Sequence, residues 1–273
     1  MKQILIATDF SSEAANAMEY ALDLAKVLQQ EVCVIHAVGS LEGVNNNTYN
    51  ALYIDDYQNS KREALKAWAD KFSDREGSKG VPVSTRVDVG SVSGVIIKYV
   101  AENPVTIIVM GASGSTGIAG LFGSNTSSVV EKATTPVLIV PQASAFSAQP
   151  NITLASDYSS SLSAGDVEAL NELIQAFGTK KLQVLNVVEK SDPAVQTKGE
   201  ADIRSVIKGA ELVFNYQTDT NPLNGIINFI ETSQTDIICV VKHHHNVVYR
   251  IFNRSTVNRV LNRSIKAVLV LHE

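Results

Sequence analysis

The sequence predicts an α/β protein of two tandem domains, each a doubly wound, five-stranded parallel sheet with strand order 3-2-1-4-5. Three observations carry this prediction. Short apolar runs alternate with segments of helical periodicity, the same pattern occurs twice, and the later parts of the two copies align without a gap. A chain of 273 residues suits two domains better than one.

The first copy is predicted to contain five strands, of which four are short apolar runs typical of strands buried on both faces. Amphipathic helices separate the strands, and the last helix is expected over about 124–133, after a glycine-rich loop. The polar, asparagine-rich stretch from Leu41 to Asn50 is predicted to be a loop. The predicted strands are Ile4 to Ala7, Val32 to Val38, Val81 to Val89, Val105 to Met110 and Pro136 to Val140.

The second copy begins where NITLASDYSS repeats KQILIATDFSS, which pairs Asp157 with Asp9. From the third helix to the end of each copy a single offset aligns the halves, pairing position 111 with 241 and 124 with 254. The segment from Pro141 to Pro150 has two prolines, small residues and no charge, and is therefore interpreted as a linker. These boundaries predict one domain over 1–143 and a second over 150–273.

Composition narrows the class of protein. Apolar residues make up 45% of the chain and charged residues 19%, as in globular proteins, and the net charge of −5 argues against general nucleic-acid binding. Cys33 and Cys239 lie in apolar strands and are expected to be reduced core thiols. The N-terminal apolar run is too short for a signal peptide, and no apolar stretch is long enough to span a membrane. The sequence thus predicts a soluble, cytoplasmic protein.

A ligand crevice is expected where the winding of the first sheet reverses, outside the carboxyl ends of strands 1 and 4. Thr8, Asp9 and Phe10 leave strand 1, and the segment from Met110 to Gly114 leaves strand 4. These two segments should face each other across one cleft.

The loop after strand 4, MGASGSTGIAGLFGSNTSS, has a glycine density that predicts phosphate binding. Glycine lets the backbone approach a ligand closely, and successive amides can form an anion nest. The helix that begins near Ser124 adds free amides and the positive end of its dipole. Ser124, Asn125 and Thr126 add hydroxyl or amide groups. The alternative is a surface loop with incidental glycines. The glycines of the loop are Gly111, Gly114, Gly117, Gly120 and Gly123.

These residues resemble the universal stress protein family. Thr8-Asp9-Phe10-Ser11 matches the turn after strand 1, Ile35-His36-Ala37 matches strand 2, and Gly111-x2-Gly114 followed by Gly123-Ser124 matches the family pattern G-x2-G-x9-G-S/T. Eight residues separate Gly114 from Gly123, one fewer than in the family, which leaves open how many phosphates are bound.

The resemblance implies a Rossmann-like fold of the adenine nucleotide alpha hydrolase type and a site for ATP or AMP, with or without magnesium. It implies that Asp9 meets the ribose, that the backbone near Ala37 reads adenine, and that the glycine loop holds the phosphates. The implied site residues are Ala7, Thr8, Asp9, Ala37, Met110, Gly111, Gly114, Gly123, Ser124 and Asn125.

The second copy has lost the glycine loop. Gly111, Gly114 and Gly123 correspond to Val241, His244 and Asn253, and Ser124 corresponds to Arg254. Asp157 is retained, although it could simply cap the next helix. The second copy is therefore predicted not to bind ATP in the same way.

Two further groups of residues are interpreted as structural. His243, His244 and His245 diverge at a strand end, so a polar loop is favoured over a metal site. The arginines of the last helix are interpreted as a solvated helix face rather than an anion or acidic-partner site. They are Arg250, Arg254, Arg259 and Arg263.

Three functions stay open at this point. The leading one is a non-catalytic regulator that binds ATP or AMP in its first domain, with binding lost in Gly114→Val. The second is a weak ATPase in which Asp9 positions a metal or water, and the third is an interaction scaffold with a vestigial site. There is no P-loop lysine motif and no nucleophile elbow.

Each copy ends in an apolar strand, PVLIV in the first copy and AVLVL in the second. In the resembled family, such edge strands pair modules into dimers. A tandem chain could satisfy this pairing internally as a pseudo-dimer, and a homodimer on top of it stays open.

Overall fold

A computed structural model describes residues 2–39, 48–72, 75, 79–112, 123–158, 161–242 and 266–272, and shows strands that alternate with helices along the chain. The strands of the first half are β1 Gln3–Ala7, β2 Glu31–Val38, β3 Val83–Val89, β4 Val105–Gly111 and β5 Val137–Val140. Those of the second half are β6 Ile152–Ala155, β7 Lys181–Val188, β8 Glu211–Thr218, β9 Ile237–Lys242 and β10 Ala267–His272.

The helices lie between the strands, as the alternating pattern predicted. Those of the first half are α1 Ser12–Leu28, α2 Thr48–Asp70, α3 Val92–Glu102 and α4 Ser124–Lys132. Those described in the second half are α5 Ala164–Ala176, α6 Pro193–Val206 and α7 Pro222–Thr232. None of the described helices is both long enough and apolar enough to cross a membrane.

The ten strands that the structure describes form one sheet in the order β3-β2-β1-β4-β5-β10-β9-β6-β7-β8. Within each half the strands are parallel and follow the order 3-2-1-4-5, which confirms the predicted fold class. The two five-stranded sheets are continuous because β5 and β10 pair antiparallel, with Val268 opposite Ile139 and Val270 opposite Val137. Neither of these strands is an edge, so the carboxyl-terminal strand lies at the centre of the sheet.

Helices cover both faces of the sheet, and the strand residues alternate between two cores. Ile4 and Ile6 belong to a core that includes residues of α1, α2, α5 and α6, whereas Leu5 belongs to a core that includes residues of α3, α4 and α7. All three side chains have no exposed surface. This is why the strands are short apolar runs rather than alternating ones.

The segment predicted as a linker is packed between the two halves. The side-chain amide of Asn16 on α1 donates to the carbonyls of Pro141 (2.9 Å) and Ser144 (3.4 Å). The ring of Phe146 lies between Tyr20 of α1 and Phe177 at the end of α5, with ring centroids 5.2 and 5.9 Å apart. These contacts fix the path of the chain from β5 to β6.

Two element boundaries differ from the sequence prediction by two residues or more. Helix α2 begins at Thr48, inside the stretch that was predicted as a loop up to Asn50. Strand β3 begins at Val83 rather than Val81, because Pro82 accepts a hydrogen bond from the amide of Val32 but has no N–H to donate.

Both cysteines are buried free thiols, as predicted. Burial raises the pKa of the Cys239 thiol to about 12, so it stays protonated and unreactive at neutral pH.

The central position of β10 predicts a large cost for truncating its core side chains. Leu269 has no exposed surface, and Leu269→Ala should lower the free energy of unfolding by about 2–5 kcal/mol. Urea denaturation measures this, with Val195→Ala as the control, because Val195 is 48% exposed on α6. Equal stability of the two variants would contradict the assigned position of β10.

Candidate functional site at the carboxyl edge of the first half

The turn after β1 has a defined hydrogen-bonding pattern. The amide of Thr8 donates to the carbonyl of Ile35 (3.0 Å), and the Thr8 hydroxyl oxygen accepts from the amide of Phe10 (3.0 Å). This bond holds Phe10 in the left-handed region, with φ of 66°. The carboxylate of Asp9 is exposed at the tip and accepts from the amide of Ser11 (3.0 Å).

His36 supports this turn from strand β2. Its Nδ1 lies 2.8 Å from the carbonyl oxygen of Thr8, and its ring lies 4.5 Å from that of Phe10. The ring of Phe10 also meets Trp68 of α2 edge-on. His36 therefore has a structural role, and it does not line the cleft described below.

The second half builds the same turn from different residues. The amide of Tyr158 donates to the hydroxyl oxygen of Ser156 (3.2 Å), Tyr158 has φ of 61°, and the amide of Ser156 donates to the carbonyl of Leu185 (2.9 Å). Asp157 and Asp9 thus occupy the same position of the same turn.

Gly111, the last residue of β4, lies against the first turn of α1. A Cβ atom at this position would be 2.7 Å from the carbonyl oxygen of Glu13, which is closer than real Cβ contacts come. The helix and the end of the strand can meet only because residue 111 has no side chain. This close packing sets the floor of the cleft and the point where the glycine loop starts.

The amino terminus of α4 opens onto the same cleft without a side-chain cap. Its N-cap residue, Gly123, makes no side-chain hydrogen bond, whereas Ser11 and Ser91 cap α1 and α3. The first helical hydrogen bond runs from the amide of Ser127 to the carbonyl of Gly123 (3.0 Å). The amides of residues 124–126 therefore have no partner within the helix.

Thr126 fixes α4 to the end of β4. Its side chain is 2% exposed, and its hydroxyl donates to the carbonyl of Gly111 (3.3 Å). This bond places the helix terminus directly beside the close approach of Gly111 to α1.

Together these elements line one open cleft. Apolar lining residues on β2 and on α3, which packs beside it, form an apolar wall: Ile35, Ala37, Val92, Val95 and Ile96. The other apolar lining residues are Ala7, Ala14 and Met110, and the remaining ones are Thr8, Asp9, Ser11, Glu13, Gly111, Asn125 and Thr126.

Most of the sequence-predicted site residues meet in this cleft. Those that line it are Ala7, Thr8, Asp9, Ala37, Met110, Gly111 and Asn125. Gly123 and Ser124 lie at the amino terminus of α4 and are not among the lining residues. Gly114 lies outside the described residues.

Sequence reasoning missed the contribution of α3 to the apolar wall. Val92, Val95 and Ile96 project from its first turns. A signal was available, because α3 follows β3 and therefore begins at the same edge of the sheet, with apolar residues spaced by three and four. Glu13, Ala14 and Ile35 were also missed as lining residues.

The second half differs at the corresponding place. Val241 occupies the position of Gly111, and α5 begins at Ala164, nine positions after the end of β6, whereas α1 begins five positions after the end of β1. Leu162, just before α5, and Val241 both pack against the core. The helix thus starts later where the strand carries a side chain.

Other residues singled out in the second half are not described by the structure. They are His243, His244, His245, Asn253 and the arginines Arg250, Arg254, Arg259 and Arg263. Among the described residues, no group of three histidine, cysteine or acidic side chains could hold a metal ion.

The fold and the cleft define a doubly wound α/β protein with a ligand cleft at the topological switch point of its first half. The model of the universal stress protein family matches residues 1–141, and the chain belongs to that family.

Curated relatives match one half of the chain and nearly the whole of their own length. Universal stress protein YxiE of Bacillus subtilis is 31% identical over 146 residues, which cover 50% of this chain and 97% of the relative. A universal stress protein of Methanocaldococcus jannaschii is 26% identical over 152 residues, covering 51% and 94%.

A solved structure matches both halves. The crystal structure of a universal stress protein from Archaeoglobus fulgidus covers 98% of this chain and 97% of its own, with a TM-score of 0.71 and 18% identity. At this identity the likeness shows the fold alone, and it extends beyond residue 141 into the second half.

The contact between Gly111 and α1 predicts that a methyl group added at residue 111 destabilises the protein more than one added at an uncrowded glycine. Gly111→Ala should lower the free energy of unfolding by about 1–3 kcal/mol, because the Cβ atom meets rigid backbone. The control is Gly165→Ala in α5, where nothing lies within 4 Å of the new Cβ atom. Thermal unfolding measures both, and equal melting temperatures would contradict the close approach.

Proposed function

We propose that the cleft of the first half binds an adenine nucleotide, ATP or AMP, and that the chain is a non-catalytic, nucleotide-binding stress protein. The observation that carries the proposal is the amino terminus of α4, which has a glycine as its N-cap and opens into a cleft with an apolar wall on β2 and α3. A nucleotide has the matching division into an anionic end and a flat apolar base.

The phosphate end of the ligand is assigned to the terminus of α4. Free amides and the positive end of a helix dipole favour an anion at this point. The side chain of Asn125 lines the same part of the cleft. Ser124 and the glycine loop with Gly114 complete this part of the proposed site.

The base is assigned to the apolar wall between β2 and α3. Ile35 and Ala37 project from β2, and Val92, Val95 and Ile96 from α3. The exposed Asp9 lies between the two ends, where it can accept hydrogen bonds from ribose hydroxyls. The proposed order along the cleft is therefore base, ribose, phosphate.

Binding without turnover is favoured over an ATPase. The carboxylate of Asp9 already accepts hydrogen bonds from the amide and the hydroxyl of Ser11. Turnover abolished by Asp9→Ala would support an ATPase, and binding without turnover would exclude one. A scaffold with a vestigial site is the third reading, and it predicts no thermal stabilisation by millimolar ATP.

The second half is proposed to be a partner module rather than a second nucleotide site. We assign the modules to 1–143 and 150–273, and the β5–β10 pairing to an internal pseudo-dimer. In the second half a valine stands where the first half needs a glycine, and α5 does not reach the corresponding point.

A side-chain cap added to α4 should weaken nucleotide binding while it slightly raises the free energy of unfolding. Gly123 has φ of −58° and ψ of 160°, which an aspartate can adopt, and the carboxylate of Gly123→Asp would accept the amides offered to phosphate. We expect AMP and ATP affinity to fall at least about tenfold while stability rises by a few tenths of a kcal/mol. Isothermal titration calorimetry and urea denaturation measure the two quantities.

The matched control is Gly165→Asp, which adds the same charge to the first turn of α5, away from the cleft. It should leave the nucleotide affinity within about twofold. If Gly123→Asp binds the nucleotides as tightly as the wild type does, the phosphate is not held at α4.

A further inference from the structure

The charge of the cleft does not match that of a free polyphosphate. Asp9 and Glu13 are the charged side chains among its lining residues, and both are acidic. The segment 112–123, which follows Gly111 in the sequence, contains no charged residue. Attraction for phosphate would then come from backbone amides and the α4 dipole, and it would be opposed by two carboxylates.

The two carboxylates differ in the hydrogen bonds that they accept from the protein. Asp9 accepts hydrogen bonds from both the amide and the hydroxyl of Ser11, so it is part of the turn that starts α1. Within the part of the chain that the structure describes, Glu13 accepts one side-chain bond, from the hydroxyl of Ser12 (3.0 Å), and the cap of α1 is made by Ser11 instead. Glu13 can therefore be neutralised without loss of the turn.

Glu13 is also held close to the start of the glycine loop. Its own carbonyl oxygen is the atom that a Cβ on Gly111 would meet at 2.7 Å, and half-buried Glu13 is a lining residue of the cleft, as are Gly111 and Asn125. A negative charge at this place raises the cost of bringing additional phosphate charge to α4.

We propose that Glu13 is a specificity-determining residue that selects the ligand by charge. It disfavours free ATP relative to adenosine, AMP or ATP whose charge is reduced by a divalent cation. This inference rests on the proposed nucleotide site. It assigns the discrimination between these ligands to one carboxylate, which acts on the ligand through space rather than by contact.

The test compares Glu13→Gln with the wild type by calorimetry at low salt, using adenosine, AMP, ATP with EDTA and ATP with excess Mg²⁺. Glu13→Gln should tighten the binding of ATP with EDTA by about three- to tenfold. The change should be smaller for ATP with Mg²⁺ and for AMP, and within about twofold for adenosine. Raising the salt concentration should reduce the difference.

Two further variants separate charge from packing. Glu13→Asp keeps the charge and should keep the wild-type discrimination. Glu31→Gln removes one carboxylate at the start of β2, at the opposite edge of the sheet, and should change none of the four affinities by more than about twofold.

The outcomes distinguish a failure of the Glu13 role from a failure of the nucleotide site. If adenosine and ATP bind but Glu13→Gln changes their affinities equally or not at all, the charge-selection role is overturned while the nucleotide site stands. If none of the four ligands binds the wild type, the proposed function is overturned and this inference falls with it.

Discussion

The contact between the end of β4 and the first turn of α1 is the constraint on which the rest of the site depends. Gly111 meets the carbonyl of Glu13 at a distance that excludes any side chain. This contact brings the end of one strand, the start of one helix and the beginning of the glycine loop to one point. Thr126 then adds α4 through its bond to the carbonyl of Gly111.

The same contact explains how two halves of one fold have come to differ. Both halves form the turn after the first strand, with an aromatic residue at positive φ and an aspartate before it. They diverge at the residue that meets the helix, which is glycine in the first half and Val241 in the second. In the second half Ser163 begins the helix and its amide donates to the carbonyl of His272 at the end of β10 (2.9 Å). The helix start is thus held by the last strand instead of packing against the end of β9.

The sequence predicted the strand order, the duplication and most of the lining residues, because buried parallel strands are apolar runs and their carboxyl ends must share one edge. The sequence predicted that Gly111 serves ligand binding, and it did not predict the close contact of Gly111 with α1. That contact depends on the angle at which α1 approaches β4, and no local pattern specifies that angle. The contribution of Val92 was not predicted, although α3 follows β3 and begins at the same edge of the sheet. The continuous sheet depends on the β5–β10 pairing, which is between segments far apart in the chain and cannot be deduced from either segment alone.

The central claim is that the first-half cleft holds the phosphate of an adenine nucleotide at the amino-terminal amides of α4. Titration of ¹⁵N-labelled protein with AMP, followed by amide chemical shifts, tests this claim most directly. The account predicts saturable shifts at the amides of Ser124, Asn125 and Thr126, together with shifts at Ala37 and Val92 where the base is expected. Shifts confined to the second half, or none at saturating AMP, would contradict it.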